Sequence, residues 1–147
     1  MKIKQLNKVK SSLKLDNVID NLKIQLNSEN YSTEIKSNEI EFQKVLVSST
    51  HTGKNVSNAF NLLRNGKFIV NDTESNSFLI SCYMNVNHLI FFSILIGILI
   101  GLLTGISRIQ SIFYSILTGI LTALIITLIG LLNMKLKINE IVKFSMF

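Results

Sequence analysis

The chain has no proline, no tryptophan, one cysteine and two histidines among its 147 residues. The lone Cys82 excludes an intramolecular disulfide, and one thiol with His51 and His88 is too small a donor set for a Cys/His metal cluster. A domain kept reduced in the cytosol is expected. The missing proline and tryptophan accompany abundant Asn, Ile, Lys and Ser, a composition that AT-rich coding produces, so the net charge of +6 says little about partners. Nucleic-acid binding would need lysines gathered on one face. The one dense basic run, Lys2, Lys4, Lys8, Lys10 and Lys14, reads instead as a solvated or lipid-facing N-terminal arm. These charges also leave no apolar stretch for a signal peptide, so the first domain is expected to stay in the cytoplasm.

Charge is scarcest after His88: from Leu89 to Leu132 only Arg108 and the Tyr114 phenol can ionise. Leu89–Ile106 and Ile109–Leu132, about 18 and about 24 residues, bracket the roughly 20 that cross a bilayer as a helix. A polar domain of about 87 residues cannot wrap two helices that are apolar all round, so a transmembrane hairpin is expected over residues 88–133. The Ser107-Arg108 connection allows only antiparallel neighbours, with both chain ends on one side. Arg64, Lys67, Lys135, Lys137 and Lys143 on that side outnumber Arg108 on the other. Both termini are therefore expected in the cytoplasm, the membrane being a bacterial inner membrane. The spans hold no Asp, Glu, Lys or His, which excludes the proton relays and ion sites of a transporter.

What the spans do hold is small residues at every fourth position. Ser93, Gly97, Gly101 and Gly105 line one face of the first helix, and Ser111, Ser115, Gly119, Ala123 and Thr127 line one face of the second. Small residues let backbones approach closely where lipid supplies no hydrophobic drive. Over about thirteen residues the first run resembles glycine-zipper segments, a resemblance of pattern that implies no particular function. Two arrangements stay open: the faces close on each other, or the glycine face meets another membrane protein or a second protomer.

Residues 1–87 read as a small α+β domain, one amphipathic helix on an antiparallel sheet of four or five strands. Leu15, Val18, Ile19, Leu22 and Leu26 recur at helical spacing, with Ser12 or Asp16 as candidate caps and Asn27-Ser28-Glu29-Asn30 as the stop. Thr33–Lys36 and Glu39–Val47 alternate about Ser37-Asn38, a hairpin that sets Ile35 beside Ile40 and Lys36 beside Glu39. Asn65-Gly66 reads as a second hairpin turn, between Ala59–Leu63 and Phe68–Val70, with a short helix over 56–64 as the alternative. Ser77–Val86 alternates as a last strand leading into the first span. In the basic tail, 134–147, the alternation of Leu136, Ile138, Val142, Phe144 and Met146 with polar residues favours a strand or surface segment returning to the domain. An interfacial helix using Ile138, Ile141 and Val142 also fits.

Tests for chemistry mostly fail. Residues 48–55 resemble a phosphate loop, but Ser48 replaces its first glycine and Asn55 the magnesium-binding hydroxyl. Cys82 falls in an expected strand, where a small core residue is the plain reading. His88 falls at the membrane boundary and His51 in a loop. Glu34, Glu39 and Glu41 cluster beside Lys36 as solvated strand residues do, and the sequons at Asn30, Asn55 and Asn71 follow from composition. No catalytic residue, cofactor, metal or small-molecule substrate is indicated. The expected role is a non-enzymatic assembly or accessory subunit in the lipid bilayer. Its hairpin packs through the small-residue faces while the soluble domain binds a partner. The alternative is an oligomeric pore-forming or membrane-disrupting effector.

Overall fold

The computed structural model describes residues 1–10, 13–45, 63–73, 77–106 and 112–146. They form two compact units, Met1–Asn85 with Met134–Phe147 in the first and Val86–Asn133 in the second.

The first unit is built on a five-stranded antiparallel sheet: β1 (Lys2–Lys10), β2 (Tyr31–Lys36), β3 (Glu39–Lys44), β4 (Asn65–Thr73) and β5 (Ser77–Asn85), in the order β1-β5-β4-β3-β2. β2 and β3 pair in the register expected, Ile35 opposite Ile40 and Lys36 opposite Glu39. Ser37 takes φ 57 in the two-residue turn, the positive region that such tight hairpin loops use. β5 also forms where alternation placed a strand. Phe78, Ile80, Cys82 and Met84 are buried on one face, while Leu79, Tyr83 and Asn85 on the other are part-exposed.

Two expectations fail in the sheet. The N-terminal lysines are no solvated arm: β1 pairs along its whole length with β5, Lys2 opposite Asn85 through Lys10 opposite Ser77. Lys2, Lys4 and Lys8 share one exposed face, and Ile3, Gln5, Asn7 and Val9 turn inward. Asn65-Gly66 is no turn but the first two residues of β4, with Gly66 opposite Phe42 and Met84. A Cβ there would sit 2.7 Å from the Phe42 ring and closer still to the Tyr83 carbonyl oxygen, so the glycine makes room for an aromatic neighbour rather than bending the chain. Residues 46–62, which include the phosphate-loop look-alike, His51 and most of the expected strand before Asn65, lie outside the described residues.

One sheet face is covered by helix. In α1 (Leu15–Ser28), Val18, Ile19, Leu22 and Leu26 are buried against β2, β3 and β4. Its N-cap is Lys14 without a side-chain cap, and Asp16 sits in the first turn, where a carboxylate favours the helix dipole. The helix stops at Asn30, whose φ of 62 is a left-handed value that asparagine tolerates. The tail is helix, not strand. α3 (Ile112–Phe144) continues through it, and Met134, Ile138, Ile141 and Val142 are buried at helical spacing while Leu136 and Phe144 are exposed. Gln5 Nε2 donates to Asn139 Oδ1 at 2.7 Å, Asn21 Nδ2 to the Ser145 carbonyl at 3.1 Å, and Lys137 Nζ to Glu29 Oε1 at 2.7 Å. These bonds tie the last turns of α3 to β1 and α1. Between helix and sheet, Phe42 stacks against Phe68 at 5.3 Å and meets Tyr31 edge-on at 5.5 Å.

The second unit is α2 (Asn87–Ile106) and α3 up to Asn133. Both helices are long and apolar enough to cross a membrane. Their large side chains point outward: Leu99, Leu102, Leu103, Leu121, Leu124 and Leu128 are exposed, as are many others.

Candidate functional site

The small residues of the second unit meet along a seam. A Cβ on Gly97 would lie 2.6 Å from the Gly119 carbonyl oxygen and 2.9 Å from Ala123 Cβ, and one on Gly119 would lie 2.7 Å from the Gly97 carbonyl oxygen. No side chain fits at either position. At Gly101 the added carbon would be 3.1 Å from the Ser115 carbonyl oxygen, and at Gly105 3.4 Å from Ser115 Oγ. Contacts move down α3 as they move up α2, so the helices run antiparallel. Ser93, fully buried, donates to the Leu89 carbonyl at 2.8 Å, and Thr127 donates to that of Ala123 at 2.8 Å. Ser111 lies outside the described residues.

The hydroxyls turn inward as well. Thr104, Thr118 and Thr122 donate to carbonyls one turn back at 3.1, 2.8 and 2.8 Å, the arrangement that an apolar surrounding demands of a polar group. Ser115 differs: its hydroxyl is buried with no partner. It lines a groove of about 560 Å³ that leaves one side of the seam open, with Gly97, Gly101, Gly105, Gly119 and the flanking isoleucines.

In the first unit the sheet face away from the helices carries charge of both signs. The pairing places Lys4, Tyr83, Lys67, Glu41 and Glu34 in one row across all five strands, and Leu6, Ser81, Ile69, Glu39 and Lys36 in the next. Lysines dominate the β1 edge and glutamates the β2–β3 edge. Lys4 and Lys67 flank the Tyr83 ring at 5.5 and 5.8 Å. Lys67 pairs with Glu39 at 2.9 Å, and Lys36 with Glu34 at 3.3 Å and Glu41 at 3.7 Å. The Glu34 hydrogen bond raises the pKa of the exposed Lys36. A shallow groove of about 420 Å³ runs over this face, floored at Gly66 and lined by Lys2, Glu34, Glu41, Asn65, Lys67 and Tyr83 among others. Sequence reasoning missed this face. The alternation of lysines with Ile3, Gln5, Asn7 and Val9 was its signal.

Other candidates for chemistry are scattered. Burial raises the pKa of the Cys82 thiol, which is sealed in the core, and His88 is exposed on α2. Burial also raises that of the Tyr31 phenol, which donates to the Leu63 carbonyl at 3.0 Å. Lys44, its pKa lowered by burial, donates to the Glu29 carbonyl at the end of α1 and lies 4.4 Å from the Tyr31 ring. Among the described residues no three His, Cys, Asp or Glu side chains gather as metal ligands.

The chain matches no protein-family model, no curated protein and no solved structure. Fold and sites therefore define it by architecture: a five-stranded antiparallel sheet covered by helix, joined to two apolar helices long enough to cross a bilayer.

Proposed function

We propose that this chain is a non-enzymatic integral membrane protein, an assembly or accessory subunit whose hairpin packs through its small-residue faces and whose sheet unit binds a partner. The observation that carries the reading is the outer surface of α2 and α3, where leucine and isoleucine side chains stand exposed all around the glycine seam. Water would not tolerate so large an apolar surface, whereas lipid solvates it. The open groove beside Gly101 and Gly105 offers another membrane protein or a second protomer a surface on which backbones approach closely.

Location follows from the same features. Both ends of the chain contribute to one compact unit, which supports placing both termini on one side of the membrane. The excess of Arg64, Lys67, Lys135, Lys137 and Lys143 over Arg108 supports the cytoplasmic side, in what we take to be a bacterial inner membrane. Cys82 is sealed in the core, out of reach of a substrate, while Glu34 and Glu41 stand on the exposed sheet face where a partner can reach them.

The test is the mass of the protein extracted from native membranes in a mild detergent, combined with crosslinking before extraction. A stable complex larger than one chain is expected. A lone monomer without a crosslinked partner defeats the proposal.

A further inference from the structure

The outer face of the sheet is two-signed in an ordered way. β1, at one edge, presents Lys2, Lys4 and Lys8, and the β2–β3 edge presents Glu34, Glu39 and Glu41 with Lys36 among them. A surface of this kind is complementary to itself. When two sheets stack face to face about a two-fold axis parallel to the strands and running along β4, β1 of each copy lies over β2 of the other. An axis across the strands would instead set lysine on lysine. We infer that this sheet face is the partner-binding surface of the first unit and that its partner is a second copy of this chain, with Lys4 of each copy facing Glu34 of the other. This rests on the proposal that the sheet unit binds a partner, and it names that partner.

The first row carries the charge pairing, while in the second Leu6 comes opposite Lys36 and Ser81 opposite Glu39. Ile69, in the central strand, falls on the axis and meets its own copy, an apolar centre within a polar rim. Lys67 also lies on the axis, but each copy is already neutralised by its own Glu39 at 2.9 Å. Tyr83 faces Glu41 of the other copy, so the phenol can donate to that carboxylate. Exposed ion pairs are individually weak. Tethering both copies in one membrane raises their effective concentration, which is the condition under which weak complementary faces pair.

Lys4 and Glu34 lie in the same row but at opposite edges, four inter-strand spacings or about 19 Å apart. A bond between them within one chain is out of reach. Full-length protein from isotopically light and heavy preparations, reconstituted together into the same phospholipid vesicles, is treated with a zero-length carbodiimide that joins a lysine to a carboxylate in contact. Lys67–Glu39 is the internal control and forms in every folded sample. Mixed light–heavy Lys4–Glu34 crosslinks are expected. Lys4→Glu or Glu34→Lys alone should weaken self-association up to about twenty-fivefold at low salt, since two-fold symmetry breaks two pairs each worth up to about fivefold. An equal mixture of the two variants should pair again, because each interface then sets opposite charges together, and high salt should erase the differences. Lys67–Glu39 crosslinks with no mixed Lys4–Glu34 product overturn the inference. If the mass still shows a stable complex, the assembly proposal stands without it; a lone monomer defeats both.

Discussion

Replacing Gly97 by alanine should open the seam between α2 and α3, and the size of the effect follows from one distance. The added methyl carbon would lie 2.6 Å from the Gly119 carbonyl oxygen. A carbon meets a carbonyl oxygen comfortably at about 3.3 Å, so the helices must part by about 0.7 Å. A gap of that size forfeits a quarter to a half of each dispersion contact along the seam. Overpacking of this kind costs about 1–3 kcal/mol, roughly a fivefold to hundredfold shift from closed to open. Gly101→Ala, meeting a carbonyl oxygen at 3.1 Å, should cost less. The readout can be built into the seam, because a Cβ on Gly105 would stand 3.7 Å from Ser115 Cβ, inside the disulfide range. In a Cys82→Ala background, Gly105→Cys with Ser115→Cys should form a disulfide readily, and its equilibrium against a glutathione buffer measures closure. The expected order of disulfide stability is the parent, then Gly101→Ala, then Gly97→Ala. Equal stability in all three, or no disulfide in the parent, would refute the seam.

Other consequences concern the first unit. Gly66→Ala drives a methyl into the Phe42 ring and the Tyr83 carbonyl and should cost about 1–3 kcal/mol in denaturant unfolding; an unchanged midpoint would contradict the packing described. Lys44→Met removes the ammonium that serves the last turn of α1 through the Glu29 carbonyl and should cost about 1–2 kcal/mol by the same measurement. Burial raises the pKa of the Cys82 thiol and the Tyr31 phenol above their ordinary 9.0 and 10.0, so the unfolded chain loses these protons first. Their contribution is complete below pH 9.0 and falls as pH rises beyond it. Lys44, with a lowered pKa, acts in the opposite sense toward 10.5. It cancels when wild type is compared with Cys82→Ala, whose stability should fall less steeply above pH 9.0. Cys82 should also resist thiol reagents until the protein is denatured, and rapid labelling of the native protein would place it outside the core.

Local signals in the sequence determined local structure. Ser37-Asn38 fixed the β2–β3 register because a two-residue loop leaves its strands one way to pair, and the 3.6-residue period of Val18, Ile19, Leu22 and Leu26 specified α1. The apolar lengths of α2 and α3 were legible for the same reason, as was the spacing of four that put Gly97, Gly101 and Gly105 on one face.

Tertiary contact decided the rest. β1 became a strand only because β5, about seventy residues later, offered its edge; the lysines alone looked solvated. Asn65-Gly66 carried a strong turn signal and became strand because Phe42 needed the space a glycine leaves. The tail could alternate or spiral, and it became helix because burial selected Met134, Ile138, Ile141 and Val142 while leaving Leu136 out. Which small face met which was likewise a question of three dimensions: periodicity places residues on a face, and only packing chooses what that face touches.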